Sequence, residues 1–187
     1  MCRHWRPRVT IAVIAFLYVV GSYDAIADST PDRFNIGRIV ASESVVAQDI
    51  TVFPDGEGLP AGGGTVREGE RLFARNCAAC HGAHGEGLRS YPPLVGGIGS
   101  LRTAAPLFTV GSYWPYATII WDYIRRAMPY DRPGALKRNE VYSVTAYLLF
   151  LNGIIEHQSV ITNRTLPLVR MPNRDGFDPD RRPDVRW

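Results

Sequence analysis

The sequence predicts an all-α domain of about three main helices, preceded and followed by long irregular segments. Apolar residues recur at the spacing of a helix face in residues 65–80, 115–128 and 139–151. Residues 81–100 contain six glycines, so they predict an irregular stretch that wraps the edge of a flat ligand. Residues 154–187 contain four prolines and lose helical periodicity.

Residues 77–81 read Cys-Ala-Ala-Cys-His, the attachment motif of a c-type haem. The spacing lets one helical turn present both thiols to the two vinyl groups on one porphyrin edge, while the histidine faces the iron. A redox-active or structural disulfide is the alternative, but a plain dithiol needs no adjacent histidine. The motif therefore predicts one covalent haem c on Cys77 and Cys80, with His81 as an axial ligand of the iron.

The first 27 residues have the parts of a secretory signal peptide. Three arginines precede an apolar run at residues 9–20, and Ala-Ile-Ala at residues 25–27 is a cleavage site. The run is shorter than the ~20 residues that span a bilayer, so an uncleaved anchor is the weaker alternative. We expect residues 1–27 to be removed and the mature chain to be periplasmic, with no attachment to the membrane.

Removal of the signal peptide changes the cysteine count and the charge. Cys2 is lost, and the two remaining cysteines both belong to the haem motif, which fits an oxidising periplasm where haem is attached after export. The formal net charge falls from +3 to +1. Nothing in this composition indicates nucleic-acid binding.

Beyond the signal peptide, the sequence predicts two arms around one domain. Residues 28–65 form an N-terminal extended arm in which residues 50–53 are compatible with a short strand and glycines 62–64 act as a flexible joint. Residues 66–151 form the monohaem domain. Residues 152–187 form a C-terminal extended arm.

The predicted first helix begins at a capping box and carries a contact point for another helix. Thr65 is the expected N-cap, and Glu68 three residues later completes the box. Gly69 and Phe73 share one helix face, so a small residue there allows a second helix to cross closely. Tyr147, on the third helix, is the expected partner.

The second and third helices have clear end signals. Pro115 suits the first position of the second helix, and Pro129 stops it. Asn139 is the expected N-cap of the third helix, which ends at Asn152-Gly153.

The second axial ligand of the haem iron has four candidates in the mature chain: Met128, Met171, His84 and His157. Met128 is favoured because it lies at a helix end before a proline, on a segment able to return to the face opposite His81. His/Met ligation also raises the reduction potential for electron transfer. A lone methionine is otherwise usually a core residue.

Three further residues are weaker candidates for haem contacts. Pro93 lies in a stiff Tyr-Pro-Pro-Leu turn that could present a backbone carbonyl to Nδ1 of His81, with a simple turn as the alternative. Trp114 and Arg125 are candidates for contacts with the haem propionates.

These features resemble a class I cytochrome c fold over residues 66–151: a Gly/Phe first helix, Cys-x-x-Cys-His, a glycine/proline loop, a methionine before proline and an aromatic last helix. Three strings resemble the haem subunit of periplasmic sulfur-oxidation (Sox-type) dehydrogenases: Gly-Thr-Val-Arg-Glu-Gly-Glu, Thr-Val-Gly-Ser-Tyr-Trp-Pro-Tyr-Ala-Thr and Trp-Asp-Tyr-Ile-Arg-Arg-Ala-Met-Pro. Flanking strings at residues 35–38, 54–56, 59–60 and 166–177 extend this resemblance over nearly the whole mature chain.

The Sox resemblance implies a relay of single electrons. In that family the cytochrome partners a molybdenum-cofactor subunit that oxidises sulfite or sulfane sulfur, and a soluble cytochrome c accepts the electrons. Longer members carry a second haem domain, and this sequence has no second Cys-x-x-Cys-His.

Three functions remain open from the sequence. The first is the electron-transfer subunit of a molybdenum-dependent sulfite or sulfane dehydrogenase, which is not an enzyme on its own. The second is a free monohaem electron shuttle. The third is a haem enzyme with an open iron site, which requires that Met128 does not bind the iron.

Overall fold

The computed structural model describes residues 37–178, and the predicted signal peptide lies outside them. The chain divides into one unit that ends at Ala47 and a second that begins at Gln48. Short helices and two short strands make up the regular structure of the described residues. They are α1 (Ser42–Gln48), β1 (Gly63–Thr65), α2 (Val66–Asn76), α3 (Ala78–His81), α4 (Val110–Tyr113), α5 (Ala117–Ala127), α6 (Arg138–Leu151) and β2 (Val160–Thr162), with 3-10 turns at Ser100–Arg102 and Leu166–Leu168.

Helix α2 begins at the predicted N-cap. The Oγ1 of Thr65 accepts from the backbone N–H of Glu68 at 3.2 Å and donates to the Glu68 carboxylate at 3.1 Å. The predicted single helix through Cys80 is wrong, because α2 stops at Asn76 and α3 begins at Ala78. The Asn76 side chain donates to the Leu72 carbonyl at 3.0 Å, and such a local bond competes with the helical ladder at this end.

Helices α2 and α6 cross closely at Gly69, as predicted. A Cβ atom placed on Gly69 would lie 2.7 Å from the Cβ of Tyr147 and still closer to the backbone carbonyl of Ser143. One turn later, the rings of Phe73 and Tyr147 pack with centroids 5.4 Å apart. The crossing therefore requires a residue without a side chain at this position.

Helices α5 and α6 begin at slightly different residues from those expected. Tyr116 is the N-cap of α5, so Pro115 precedes the helix instead of opening it. Helix α6 begins at Arg138, because the Glu140 carboxylate accepts from the backbone N–H of Lys137 at 2.7 Å. The predicted N-cap, Asn139, lies inside α6, and its Oδ1 accepts from Gly63 N–H at 3.3 Å.

A small antiparallel sheet corrects the all-α prediction. Strands β1 and β2 pair with Gly63 opposite Thr162 and Thr65 opposite Val160. The glycines predicted as a flexible joint thus form a strand, whereas residues 50–53 form none. Gly64 is buried, and a Cβ atom there would lie 2.6 Å from the Cα of Ser143, so the strand passes α6 at backbone contact.

The described part of the C-terminal arm packs against the helices of the domain. Ile161, Leu166 and Met171 are buried in the same core cluster as the helical residues. The Asn173 amide donates to the Tyr113 carbonyl at 2.6 Å, and the Arg174 guanidinium lies 4.2 Å from the centre of the Tyr116 ring. The compact unit therefore extends past the predicted domain boundary at residue 151.

Part of the N-terminal arm also contacts α6. The Tyr142 hydroxyl donates to the Pro60 carbonyl at 2.8 Å, and burial raises the pKa of Tyr142 to about 12, so it stays a donor at neutral pH. Arg126 on α5 donates to the Ile50 carbonyl at 2.8 Å.

Within residues 37–178, no helix is long and apolar enough to cross a membrane.

We predict that Gly69→Ala lowers the free energy of unfolding by about 1–3 kcal/mol, because the added methyl overpacks the α2–α6 crossing. Alanine favours a helix over glycine by about 1 kcal/mol, so propensity alone would raise the stability of the variant. A measured loss of stability would therefore come from the steric overlap. Denaturant unfolding of the haem-loaded chain measures it. Arg67→Ala, at an exposed position of the same helix, is the control and should change stability by no more than about 0.5 kcal/mol. Equal stability of Gly69→Ala and the parent chain would contradict the close crossing.

Candidate haem-binding site

A mainly apolar cavity of about 560 Å³ opens beside α3. Its walls come from α2, α3, α5 and α6, together with the loops at residues 91–94 and 128–131. Its volume lies within the range of about 300–1,000 Å³ that is usual for ligand pockets. Six of the seven predicted haem-binding residues line it together: Cys77, Cys80, His81, Pro93, Trp114 and Met128.

A single turn of helix presents the three residues of the haem motif. The Cys77 carbonyl accepts from the backbone N–H of Cys80 at 3.1 Å and of His81 at 2.9 Å. The two cysteines do not form a disulfide with each other. Burial raises the pKa of the Cys77 thiol to about 11, with Cys80 adding to the effect. Redox-active cysteines instead have lowered pKa values, so this environment fits attachment of an apolar ring better than disulfide exchange.

His81 has an unusual environment for a packing residue. Its Nδ1 atom is buried, and no hydrogen-bond partner for it occurs among residues 37–178. The structure therefore contains no bond from this nitrogen to a backbone carbonyl of the turn at residues 91–94, although Pro93 lines the same cavity. A buried polar atom without a partner is rare in native proteins, and an imidazole at the wall of an apolar cavity suits a metal ligand.

The glycine-rich loop is irregular, as its composition predicted, and it folds back onto the haem motif. Gly82, Gly85 and Gly87 all have positive φ angles near 80°. The N–H of Gly87 donates to the His81 carbonyl at 2.8 Å. The Glu86 carboxylate accepts from the His84 N–H at 2.7 Å, and such backbone bonds lower the pKa of Glu86.

Asn152 is a structural residue of the site that the sequence analysis missed. Its Oδ1 accepts from Gly96 N–H at 3.2 Å, and its amide nitrogen donates to the Leu94 and Leu148 carbonyls at 3.2 and 2.9 Å. Leu94 and Leu148 both line the cavity. The buried Asn152 side chain thus joins the glycine-rich loop to the end of α6. Only its place at a helix end was visible in the sequence.

Met128 is the candidate second ligand that the structure brings to the cavity of His81. It follows the last residue of α5, where its N–H donates to the Ile124 carbonyl at 3.1 Å. Met171 is 1% exposed in the core and does not line the cavity. His84 and His157 are exposed and also lie outside the lining.

The two weak candidates for propionate contacts differ in placement. Trp114 lines the cavity, and its ring packs edge-on against Tyr123 with centroids 5.5 Å apart. Arg125 does not line the cavity, because its guanidinium lies over the Trp121 ring at 5.4 Å. The geometry therefore supports Trp114 and not Arg125 as a wall of the site.

These residues fit haem c on three counts: two thiols on one turn, a buried imidazole without a partner, and a large apolar cavity. Among the described residues, no group of three or more His, Cys, Asp or Glu side chains could hold a bare metal ion. A porphyrin supplies four nitrogen ligands itself, so two protein ligands are enough.

Comparison with known proteins gives a consistent result. Residues 64–148 match the family model described as cytochrome c oxidase, cbb3-type, subunit III. A chain in the crystal structure of the sulfane dehydrogenase SoxCD from Paracoccus pantotrophus is 44% identical, with a TM-score of 0.73; the match covers 81% of this chain and 75% of that one.

Curated relatives share a smaller region. The thiosulfate dehydrogenases of Stutzerimonas stutzeri and Psychrobacter arcticus are each 28% identical, over 102 and 135 residues. The matches cover 48% and 63% of this chain but 28% and 37% of the two dehydrogenases. The chain therefore spans about a third of the length of these relatives.

The fold and the cavity define a c-type cytochrome with one covalently bound haem c. More narrowly, the chain belongs to the family of Sox-type haem subunits, as its match to the SoxCD chain shows. The resemblance noted in the sequence is thus confirmed, and the cytochrome c fold carries the small sheet as an addition.

Replacing both Cys77 and Cys80 by alanine should abolish covalent haem. Because thioether bonds survive denaturation, haem staining of a denaturing gel should label the parent chain and leave the double variant unlabelled. His84→Ala is the matched control, since His84 is exposed and lies outside the cavity, and it should keep full staining. Staining of the double variant would contradict attachment at the motif.

Met128→Ala should abolish the weak long-wavelength absorption band of a sulfur–iron(III) bond, because it removes the proposed sulfur ligand. It should also lower the reduction potential and allow cyanide to bind. Visible spectroscopy of the oxidised chain measures the band. Met171→Leu should keep the band, since Met171 is a core residue. Loss of the band in Met171→Leu together with its retention in Met128→Ala would assign the ligand to Met171.

Proposed function

We propose that the chain is the periplasmic electron-transfer subunit of a molybdenum-dependent sulfite or sulfane dehydrogenase, and that it delivers electrons to a soluble cytochrome c. The observation that supports this most is the 44% identity, over 81% of this chain, with a chain of the sulfane dehydrogenase SoxCD. The two thiosulfate dehydrogenases support sulfur chemistry more broadly.

The residues of the cavity have distinct roles in this function. Bound there, haem c supplies a one-electron redox centre. Cys77 and Cys80 hold it covalently, and His81 and Met128 are the proposed axial ligands. The remaining lining is mainly apolar, and both His/Met ligation and burial tune the potential. The chain itself makes and breaks no substrate bonds.

Met128 weighs against an open-site haem enzyme. Such an enzyme needs a free iron position for its substrate. Met128 and His81 line one cavity, and a thioether that binds the iron blocks that position. The electron-transfer role therefore has more support than the enzymatic one.

The exposed apolar residues of the N-terminal arm favour a subunit over a free shuttle. Helix α1 has no buried residue, and Val46 on it is 74% exposed. Ile39, just before α1, is 83% exposed. Isolated exposed apolar side chains are common, but this short segment carries four: Ile39, Val40, Val45 and Val46. Such clustering marks a protein-binding surface.

We propose that this segment contacts the molybdenum subunit and that the C-terminal arm contributes less. Residues 160–171 already bury Ile161, Leu166 and Met171 within the chain's own core. A chain shortened to residues 66–151 would lack both β1 and β2, so its fold would be damaged. Point substitutions in the full chain are the cleaner test.

The test co-expresses the full chain with its molybdenum subunit and measures co-purification, molybdenum content and haem reduction during sulfite or sulfane turnover. The catalytic subunit, containing molybdenum, should co-purify with the parent chain. Ile39→Ser combined with Val46→Ser should lower the yield of complex several-fold and leave the haem spectrum unchanged. Leu168→Ser is the control, because Leu168 is 80% exposed but lies outside the N-terminal segment.

Two outcomes would contradict the proposal. Purification of the chain from its native source without any molybdenum-containing partner would favour the free shuttle. A complex that forms but does not reduce the haem with either sulfur substrate would exclude the proposed reaction.

A further inference from the structure

Residues 93–96, here called the wall segment, form part of the boundary of the cavity, to which they contribute Pro93 and Leu94. The segment belongs to no helix or strand, so no regular ladder of hydrogen bonds fixes it. Its position depends on bonds from other parts of the chain. One of these is donated by the Leu94 N–H to the Gly85 carbonyl at 2.8 Å.

The Asn152 side chain binds the wall segment at two backbone atoms. Its amide oxygen accepts from the Gly96 N–H at 3.2 Å, and its amide nitrogen donates to the Leu94 carbonyl at 3.2 Å. The same nitrogen donates at 2.9 Å to the carbonyl of Leu148, in the last turn of α6. Asn152 is 7% exposed, so water competes little for these three bonds.

Helix α4 packs directly against this amide. A Cβ atom on Gly111 would lie 2.9 Å from the Cβ of Asn152 and closer still to its amide oxygen. Thr109, the N-cap of α4, donates from its hydroxyl to the Gly96 carbonyl at 2.7 Å. Gly96 is thus held at its N–H by Asn152 and at its carbonyl by Thr109.

We propose that Asn152 is a positioning residue that keeps the reduction potential of the haem high by holding the wall segment against the cavity. Asn152 does not line the cavity, so it acts through Leu94, which does. Oxidised haem iron carries one more positive charge than reduced iron, and an apolar environment disfavours that charge. Water admitted at a displaced wall segment would stabilise the oxidised state and lower the potential.

This role depends on the covalent haem and not on the sulfur-oxidising partner. It can therefore be tested on the isolated haem-loaded chain, and its failure would leave the proposed complex untouched. Loss of partner binding would equally leave the measured potential unaffected. The two proposals thus fail separately.

The experiment is a spectroelectrochemical titration of the purified haem-loaded chain, combined with hydrogen exchange of the Gly96 amide. Asn152→Ala removes all three bonds, so it should lower the midpoint potential and speed the exchange several-fold, while the visible spectrum shows that both axial ligands are kept. Asn173→Ala is the matched control. It removes an amide that donates to the Tyr113 carbonyl at 2.6 Å, away from the wall segment, and Tyr113 does not line the cavity. Its potential should equal that of the parent chain.

A second variant displaces the amide without removing it. In Gly111→Ala the added methyl overlaps the Asn152 side chain, so the potential should fall and the Gly96 amide should exchange faster. Because both substitutions act on the same bonds, the variant that combines Gly111→Ala with Asn152→Ala should shift the potential by less than the sum of the two single shifts.

An unchanged or higher potential in Asn152→Ala would overturn the proposal, whatever the exchange rate. An equal fall in Asn173→Ala would also overturn it, because it would assign the effect to a general loss of stability. Should Asn152→Ala fail to hold haem, Asn152→Asp takes its place, since it keeps the shape and the acceptor for Gly96 and loses both donated bonds. A potential equal to that of the parent chain in Asn152→Asp at neutral pH would then reject the role.

Discussion

The contact between α2 and α6 at Gly69 is the constraint on which the site depends. Helix α2 leads directly into the turn that carries Cys77, Cys80 and His81, so its position fixes theirs. Helix α6 contributes Val144 and Leu148 to the lining of the cavity. Because the two helices meet at backbone distance, the relative position of these two parts of the lining is set by backbone atoms and not by flexible side chains.

The electrostatics of this site follow from burial and from its mainly apolar lining. An apolar environment disfavours a charged thiolate, so burial raises the pKa of the Cys77 thiol to about 11 before haem is attached. Nδ1 of His81 is also buried, and it has no hydrogen-bond partner among residues 37–178. A polar atom in this state costs stability, and native proteins keep such costs mainly where function needs them.

Local patterns in the sequence predicted the local parts of this structure. The Cys-x-x-Cys-His turn, the Thr65 N-cap and the small residue at Gly69 each depend on residues a few positions apart, and all three appear in the structure. The shared cavity of His81 and Met128 followed from the chemistry of haem ligation.

Contacts between distant segments account for the parts that the sequence did not predict. Pairing of residues 63–65 with 160–162 leaves no periodic signal in a three-residue glycine-rich strand. Asn152 has the appearance of an ordinary helix end, although its amide joins two segments, the glycine-rich loop and α6. Met171 and Leu166 became core residues because the helices leave an apolar face for them, which no local pattern records.

The pairing of β1 with β2 also determines how this domain relates to longer proteins. One strand immediately precedes α2 and the other follows α6, so the chain enters and leaves the helical region at neighbouring points. A module with adjacent ends can be fused to other domains, or inserted between them, without strain on its interior. This geometry suits a haem domain whose matching region makes up only about a third of the two longer thiosulfate dehydrogenases.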